Sequence, residues 1–183
     1  RAVYSEKQIF KNWNYIPYKD FPELDDEVLG CDFGFSQDPL AIVKVGKHNN
    51  SLYIHELIYK KGMTNRDIAE FIKGQKLDDM LMYCDSAEPK SIEELRQMSV
   101  LAKGAVKGQG SINAGISLIK EFDIYVSEES SNILKEQLSY VYDELKDGTI
   151  INKPKSNQAD HLLDSIRYSV YSRWRNRNDF FVI

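Results

Sequence analysis

The chain has 183 residues, 42% hydrophobic and 28% charged, with a formal net charge of −4. That composition suits one domain with its own core and excludes a disordered polymer, and no apolar run approaches the 18 residues a membrane span requires. An acidic sum counts against a nucleic-acid binder, unless acids gathered at a metal site distort it.

Cys31 and Cys84 are too few for a disulfide framework, and no signal-peptide pattern opens the chain. A reducing, cytoplasmic setting is expected. A start at Arg1 rather than Met reads as a fragment of a longer protein or a processed product. Residues 1–27 hold Trp13, Tyr15, Tyr18 and Phe21 without a clear period. They read as an extended arm or connector whose aromatics pack on the body.

Three strands are expected at 28–33, 40–45 and 52–59, joined by short connections into an antiparallel meander. Asp32 sits where the first one runs out. An unpaired carboxylate costs several kcal/mol to desolvate, so an acid ending a buried strand calls for a partner, and a cation is the obvious one. A turn-capping role competes with this for Asp32 and is preferred for Asp38, before Pro39. In the third strand Leu52, Ile54, Glu56 and Ile58 should share one side, and His55 reads as an ordinary strand residue.

Thr64-Asn65-Arg66-Asp67 has the form of a capping box. It predicts a helix to about Lys73 that buries Ile68, Phe71 and Ile72, with Gly74 as C-cap candidate. The apolar run 80–84 predicts a strand buried on both faces, as in parallel pairing. It ends in Asp85-Ser86, a second copy of strand, cysteine, aspartate, turn. Side chains alternate along a strand, so each cysteine points away from its aspartate and reads as a core residue.

Glu88 leads a helix with Ile92, Leu95 and Met98 inward, and reads as a first-turn acid rather than an outer metal ligand. A strand within 100–106 comes next, then Lys107-Gly108-Gln109-Gly110, which lacks a complete phosphate-loop pattern. Ser111 should cap the following helix. A short strand at 124–126, a helix at 130–140 and a hairpin around Lys146-Asp147-Gly148 follow. The final helix is expected from about Asn157 to Trp174. It carries Asp160, His161 and Asp164 beside an apolar stripe of Leu163, Ile166 and Val170, and Arg167, Arg173, Arg175 and Arg177 crowd the C-terminal end of the chain. The helix dipole accounts for an acid at Asp160; Asp164 is deeper and beside the stripe.

The expected fold is α/β: a mixed sheet of about five strands, the later ones parallel to the first, with helices on both faces. Two strand-end aspartates and a helix-borne Asp/His pair form a three-carboxylate constellation. Oxygen donors suit Mg²⁺ or Mn²⁺, and two such ions about 4 Å apart can activate a water and stabilise the leaving oxygen of a phosphodiester.

G-C-D-F-G-F-S-Q-D-P at 30–39, C-D-S-A-E-P-K-S-I at 84–92, K-G-Q-G-S-I-N-A-G-I at 107–116 and D-H-L-L-D-S-I-R-Y at 160–168 together resemble the C-terminal nuclease domain of tailed-phage large terminase subunits, within the ribonuclease-H-like superfamily. The resemblance implies an endonuclease that cuts concatemeric double-stranded DNA during genome packaging, using two Mg²⁺ or Mn²⁺ ions. It implies metal-binding carboxylates at Asp32, Asp85 and Asp164 and an accessory catalytic His161; Asp160 has no firm counterpart. It makes 1–27 the connector from a packaging ATPase domain and 28–183 the nuclease domain. It also implies a small terminase subunit and a portal protein as partners, no membrane, and the host cytoplasm as location. Lys107 and Arg167 are the basic candidates for DNA phosphates. A junction resolvase or integrase-type enzyme, or a non-catalytic DNA-binding module on the same fold, are the competing expectations.

Overall fold

The structure, a computed structural model, describes residues 5–34 and 36–176. Phe35, within the 30–39 stretch, and Arg177 lie outside them.

The main sheet has seven strands rather than about five. In chain order they are β1 (Asn14–Ile16), β2 (Asp26–Asp32), β3 (Leu40–His48), β4 (Ser51–Lys60), β5 (Met82–Cys84), β6 (Ala102–Gly104) and β7 (Asp123–Ser127), and their spatial order is β1-β7-β4-β3-β2-β5-β6. β3 pairs antiparallel with β2 and β4; every other pairing in the sheet is parallel. β8 (Tyr142–Glu144) and β9 (Ile150–Pro154) form the separate hairpin. One of the strands beyond the expected five, β1, comes from the segment read as an arm and was too short to show a period. That segment does pack its aromatics on the body: Ile9 and Phe10 are buried, and Phe10 stacks near Trp13 and Tyr140.

Helices cover both faces. α1 (Asn65–Gly74) and α2 (Pro89–Gln97) pack Ile68, Ile72, Ile92 and Leu95 on one side. α3 (Ser111–Lys120), α4 (Ser131–Ser139) and α5 (His161–Trp174) lie on the other. The capping box at Thr64 forms as expected, whereas Gly74 is the last helical residue and the left-handed position falls on Lys76. Ser111 is the first residue of α3, not its cap; Gly110, with φ of 78°, holds that place. α5 starts at His161 instead of Asn157.

Cys31 and Cys84 are register partners on β2 and β5, fully buried against α1 and α2. The opposite face of β2 carries Val28, Gly30 and Asp32 towards α5. One expected alternation fails. β4 has an irregularity at Leu57, where Ile42 pairs with Ile58 but Val43 pairs with Glu56. The extra residue turns Ile58 into the α1/α2 layer, while Leu52 and Ile54 stay under α5.

α5 is buried nearly all round and lies close to the sheet. Small residues permit this. A Cβ at Gly30 would stand 2.1 Å from the Ser165 carbonyl oxygen, and Ser165 Oγ donates to the Ala41 carbonyl at 2.8 Å. Its far end is latched to β2: Arg173 donates to Asp26 at 2.9 and 2.8 Å, and Trp174 Nε1 donates to the same carboxylate at 3.1 Å.

Candidate active site

The site begins with strand register. Leu29, Gly30 and Cys31 of β2 pair with Met82, Tyr83 and Cys84 of β5, and the ladder continues as the Asp85 amide donates to the Cys31 carbonyl at 3.1 Å. Asp32 and Asp85 are the next residues on two parallel strands, which lie about 4.8 Å apart. Both project to the α5 face, opposite the buried cysteines.

α5 brings the third acid. Because the helix seats against Gly30, its first turns lie over the ends of β2 and β5, and that is where His161, Asp164 and Arg167 stand. Each of the three acids has its own basic partner. His161 Nδ1 meets Asp32 Oδ2 at 3.3 Å, Arg167 Nη2 donates to Asp164 Oδ1 at 3.2 Å, and Lys107 pairs with Asp85 Oδ1. Asp85 Oδ1 also accepts from the Ala87 amide at 3.0 Å. Asp38, expected as a turn residue, faces the other ring nitrogen of His161 at 3.6 Å.

The electrostatics follow from burial and crowding. Burial pushes the Asp32 carboxyl above the ordinary range; the hydrogen bond from His161 opposes this, and the charges of Asp85 and Asp38 add to it. Burial and then the neighbouring Asp160 lift Asp164 to about 7, against the pull of Arg167. Burial also acts on Asp85, but Lys107 and the Ala87 amide outweigh it and the carboxyl ends below its usual value. The bond to Asp32 raises His161 to about 9 against a smaller burial effect.

Among the described residues no three His, Cys, Asp or Glu side chains are grouped closely enough to hold an ion as they stand. The donor chemistry nonetheless fits a hard divalent ion. The ligand candidates are carboxylate oxygens, two of them on adjacent strand ends, and Asp32 feels Asp85 while Asp164 feels Asp32. Acids that repel one another at a desolvated edge are what such an ion would neutralise.

Beside these acids opens a groove of about 650 Å³, bounded by the N-terminus of α3, the hairpin strand β9 and α5. Lys107, Ser111, Asn113, Lys153, Asp164 and Arg167 contribute to its wall. The Arg167 side chain passes over Gly115 of α3, where a Cβ would come within 2.6 Å of its Cγ. Asn113 Nδ2 donates to the Asn152 carbonyl at 2.9 Å, tying the hairpin to α3. Lys153 was not singled out from the sequence, because its neighbourhood depends on how the hairpin folds back.

Asp160 holds the N-cap position of α5, yet its side chain makes no capping bond. That task falls to Glu136 of α4, which sequence reasoning also missed. Its Oε1 accepts from the Leu162 and Leu163 amides at 2.8 and 3.1 Å.

Comparison with known proteins gives one consistent answer. The family model of the terminase RNAseH-like domain matches residues 32–172. The large terminase subunit of Bacillus phage SPP1 is 33% identical over 154 residues, covering 80% of this chain and 36% of that protein. The PBSX phage terminase large subunit of Bacillus subtilis (strain 168) is 32% identical over 148 residues, covering 77% of this chain and 33% of that protein. The chain therefore spans about a third of the length of these curated relatives. Among solved structures, the SPP1 large terminase nuclease domain with bound Mn matches at a TM-score of 0.76 and 28% identity, covering 88% of this chain and 94% of that one. The large terminase nuclease of thermophilic phage G20c with bound magnesium shares the fold, with a TM-score of 0.68 at 18% identity over 92% of this chain and 98% of that one.

Proposed function

The chain belongs to the terminase RNase H-like domain family, and we propose that it is a metal-dependent endonuclease that cuts concatemeric double-stranded phage DNA during packaging. The observation that supports the proposal is the register of β2 and β5, which brings Asp32 and Asp85 to neighbouring strand ends, with Asp164 of α5 near enough to feel the Asp32 charge. The SPP1 nuclease domain, 28% identical, is a structure with bound Mn; on this reading Asp32, Asp85 and Asp164 would hold Mg²⁺ or Mn²⁺. Bound there, two such ions supply an activated water and charge stabilisation at the leaving oxygen.

The chain's own residues supply the rest. His161, within hydrogen-bond distance of Asp32, is suited to orient a phosphate oxygen or pass a proton at the reacting centre. Lys107 and Arg167, now paired with Asp85 and Asp164, line the groove with Lys153 and are suited to DNA phosphates. Backbone contacts of this kind carry little sequence preference, which suits an enzyme that must accept a whole genome. The acidic net charge is no obstacle on this reading, since several of the acids stand at the metal edge. In the full-length protein the domain would follow a packaging ATPase in the same chain and work with a small terminase subunit and a portal protein in the host cytoplasm.

The test is supercoiled plasmid cleavage in Mn²⁺ by variants of matched stability. Asp32→Asn should abolish cutting, because losing the charge that holds the ions costs orders of magnitude in rate. His161→Ala should lose about 10²–10⁴-fold, and Asp160→Asn least. A dead Asp160→Asn beside an active Asp164→Asn would mean that the wrong acid of α5 has been assigned. A strong preference for branched over linear duplex would point to a junction resolvase instead.

A further inference from the structure

We infer that Glu136 is a positioning residue for this site: reaching across from α4, it caps α5 and fixes where His161 and Asp164 stand. The inference rests on the reading of α5 as the metal-bearing helix.

A helix leaves its first amides without partners inside the helix. In α5 the residue at the N-cap, Asp160, has φ of −144° and ψ of 13°, and its carboxylate caps nothing. The Leu162 and Leu163 side chains are buried, with 0% and 2% exposure, so water is a poor substitute partner for this turn. Glu136 Oε1 serves both amides. These two peptide units lie between His161 and Asp164. A clamp on them sets the position of the residue before and the residue after.

Glu136 accepts no other hydrogen bond through its carboxylate among the described residues. It is 2% exposed, and its Oε2 has no hydrogen-bond partner among the described residues. A buried acid is costly unless it is bonded, so its retention on the inner face of α4 asks for a role, and the cap is the one it performs. α4 is itself held in the same way. Glu56 of β4 accepts from the Asn132 and Ile133 amides at 3.0 and 3.1 Å through Oε1, and from Asn132 Nδ2 at 2.8 Å through Oε2. Two glutamates thus link the central sheet to α4 and α4 to α5. The site helix is referenced to the sheet at both of its ends, by Asp26 at one and by this relay at the other.

Two variants separate capping from charge. Glu136→Gln keeps a carbonyl oxygen at Oε1 and loses the charge. Glu136→Asp keeps the charge but is one methylene short of the amides. Amide hydrogen exchange at residues 161–164 and Mn²⁺ titration followed by water proton relaxation are the readouts, with plasmid nicking alongside. Glu136→Gln should stay within about threefold of wild type in both. Glu136→Asp should raise exchange at Leu162 and Leu163 at least about tenfold and weaken Mn²⁺ binding about 10–100-fold, the range for residues that orient metal ligands. Exchange in β2 and β3 should not change. The inference is overturned if Glu136→Asp leaves both amides protected, or if it exposes them without altering Mn²⁺ affinity. It is equally overturned if Glu136→Gln behaves as the weaker variant, since charge and not the cap would then matter. A wild-type domain that binds no Mn²⁺ overturns the metal reading instead. Exchange at His161 and Asp164 then decides the positioning alone: loosening in Glu136→Asp supports it, and none refutes it.

Discussion

Replacing Gly30 by alanine should lift the site helix off its strand. Gly30 is two residues before Asp32 on the same face of β2, directly beneath α5. A methyl group there would lie 2.1 Å from the Ser165 carbonyl oxygen, 2.8 Å from its carbon and 3.2 Å from Val43 Cγ2, where ordinary contact starts at 3.4 Å. The obstacle is helix main chain, which cannot rotate away as a side chain would. Relief requires α5 to move out by roughly 1.3 Å at this point, the gap between contact and the position the methyl would take. That shift stretches the 2.8 Å bond from Ser165 to Ala41 beyond hydrogen-bonding range. Overpacking of this severity belongs at the upper end of its range, about 3 kcal/mol, and the lost bond adds about 1 kcal/mol. Gly74→Ala is the matched control. Nothing lies within 4 Å of its Cβ position and it ends a helix, so alanine should stabilise by about 0.5–1 kcal/mol. Urea unfolding measures both. Mn²⁺ titration of Gly30→Ala under folded conditions should show at least about tenfold weaker binding, as expected when ligands lose their orientation, because Asp164 moves away from Asp32. A Gly30→Ala chain as stable as wild type would refute the close approach on which the site geometry depends.

Three further outcomes are expected. Burial lifts Glu136 from an ordinary 4.5 to about 7, so between those values the folded chain holds a proton that the unfolded chain releases. The stability from this group is complete below about pH 4.5 and falls by about 3 kcal/mol as pH rises to 7. Glu136→Gln should remove that slope, and a wild-type-minus-variant difference that is flat from pH 4.5 to 7.5 would refute it. Lys153→Ala should weaken duplex binding equally for unrelated sequences and reduce the log–log salt slope by about one; an unchanged slope removes Lys153 from the DNA path. Asp26→Ala should cost about 1–2 kcal/mol, mainly through the buried Trp174 indole N–H left unpaired and the partly exposed Arg173 released, and an unmoved urea midpoint would count against the latch.

The parts of the site that depend on strand periodicity were legible in advance. Cys31-Asp32 and Cys84-Asp85 each end an apolar run, and alternation alone placed the cysteines in the core and the acids on the opposite face, as the structure has them. The capping box at Thr64 was legible for the same reason: its partners are three residues apart, so all the information is local. What failed was non-local. β1 is only three residues long and exists because β7 offers it an edge. The irregularity at Leu57 depends on how β3 and β4 pair, and nothing in the 52–59 stretch marks it.

α4 shows most clearly why the remainder was hidden. Leu134 and Leu138 are 38% and 53% exposed, while Glu136 and Gln137 are buried. Beside the fully buried Ile133, the inner face of this helix carries polar residues because its neighbours present groups that need partners. Glu136 meets the open amides of α5. Gln137 donates to the Phe10 carbonyl at 3.2 Å and accepts from the Tyr15 hydroxyl at 2.6 Å. An amphipathic pattern reports burial only where the facing surface is apolar. Where the facing surface is a helix N-terminus, the residue that fits is an acceptor, and it occupies the place a leucine would otherwise take. Local sequence marked Asp160 as the acid at the start of α5, and the position was right. The capping bond went to an acid 24 positions earlier in the chain, because α4 comes close enough to supply a carboxylate from the side.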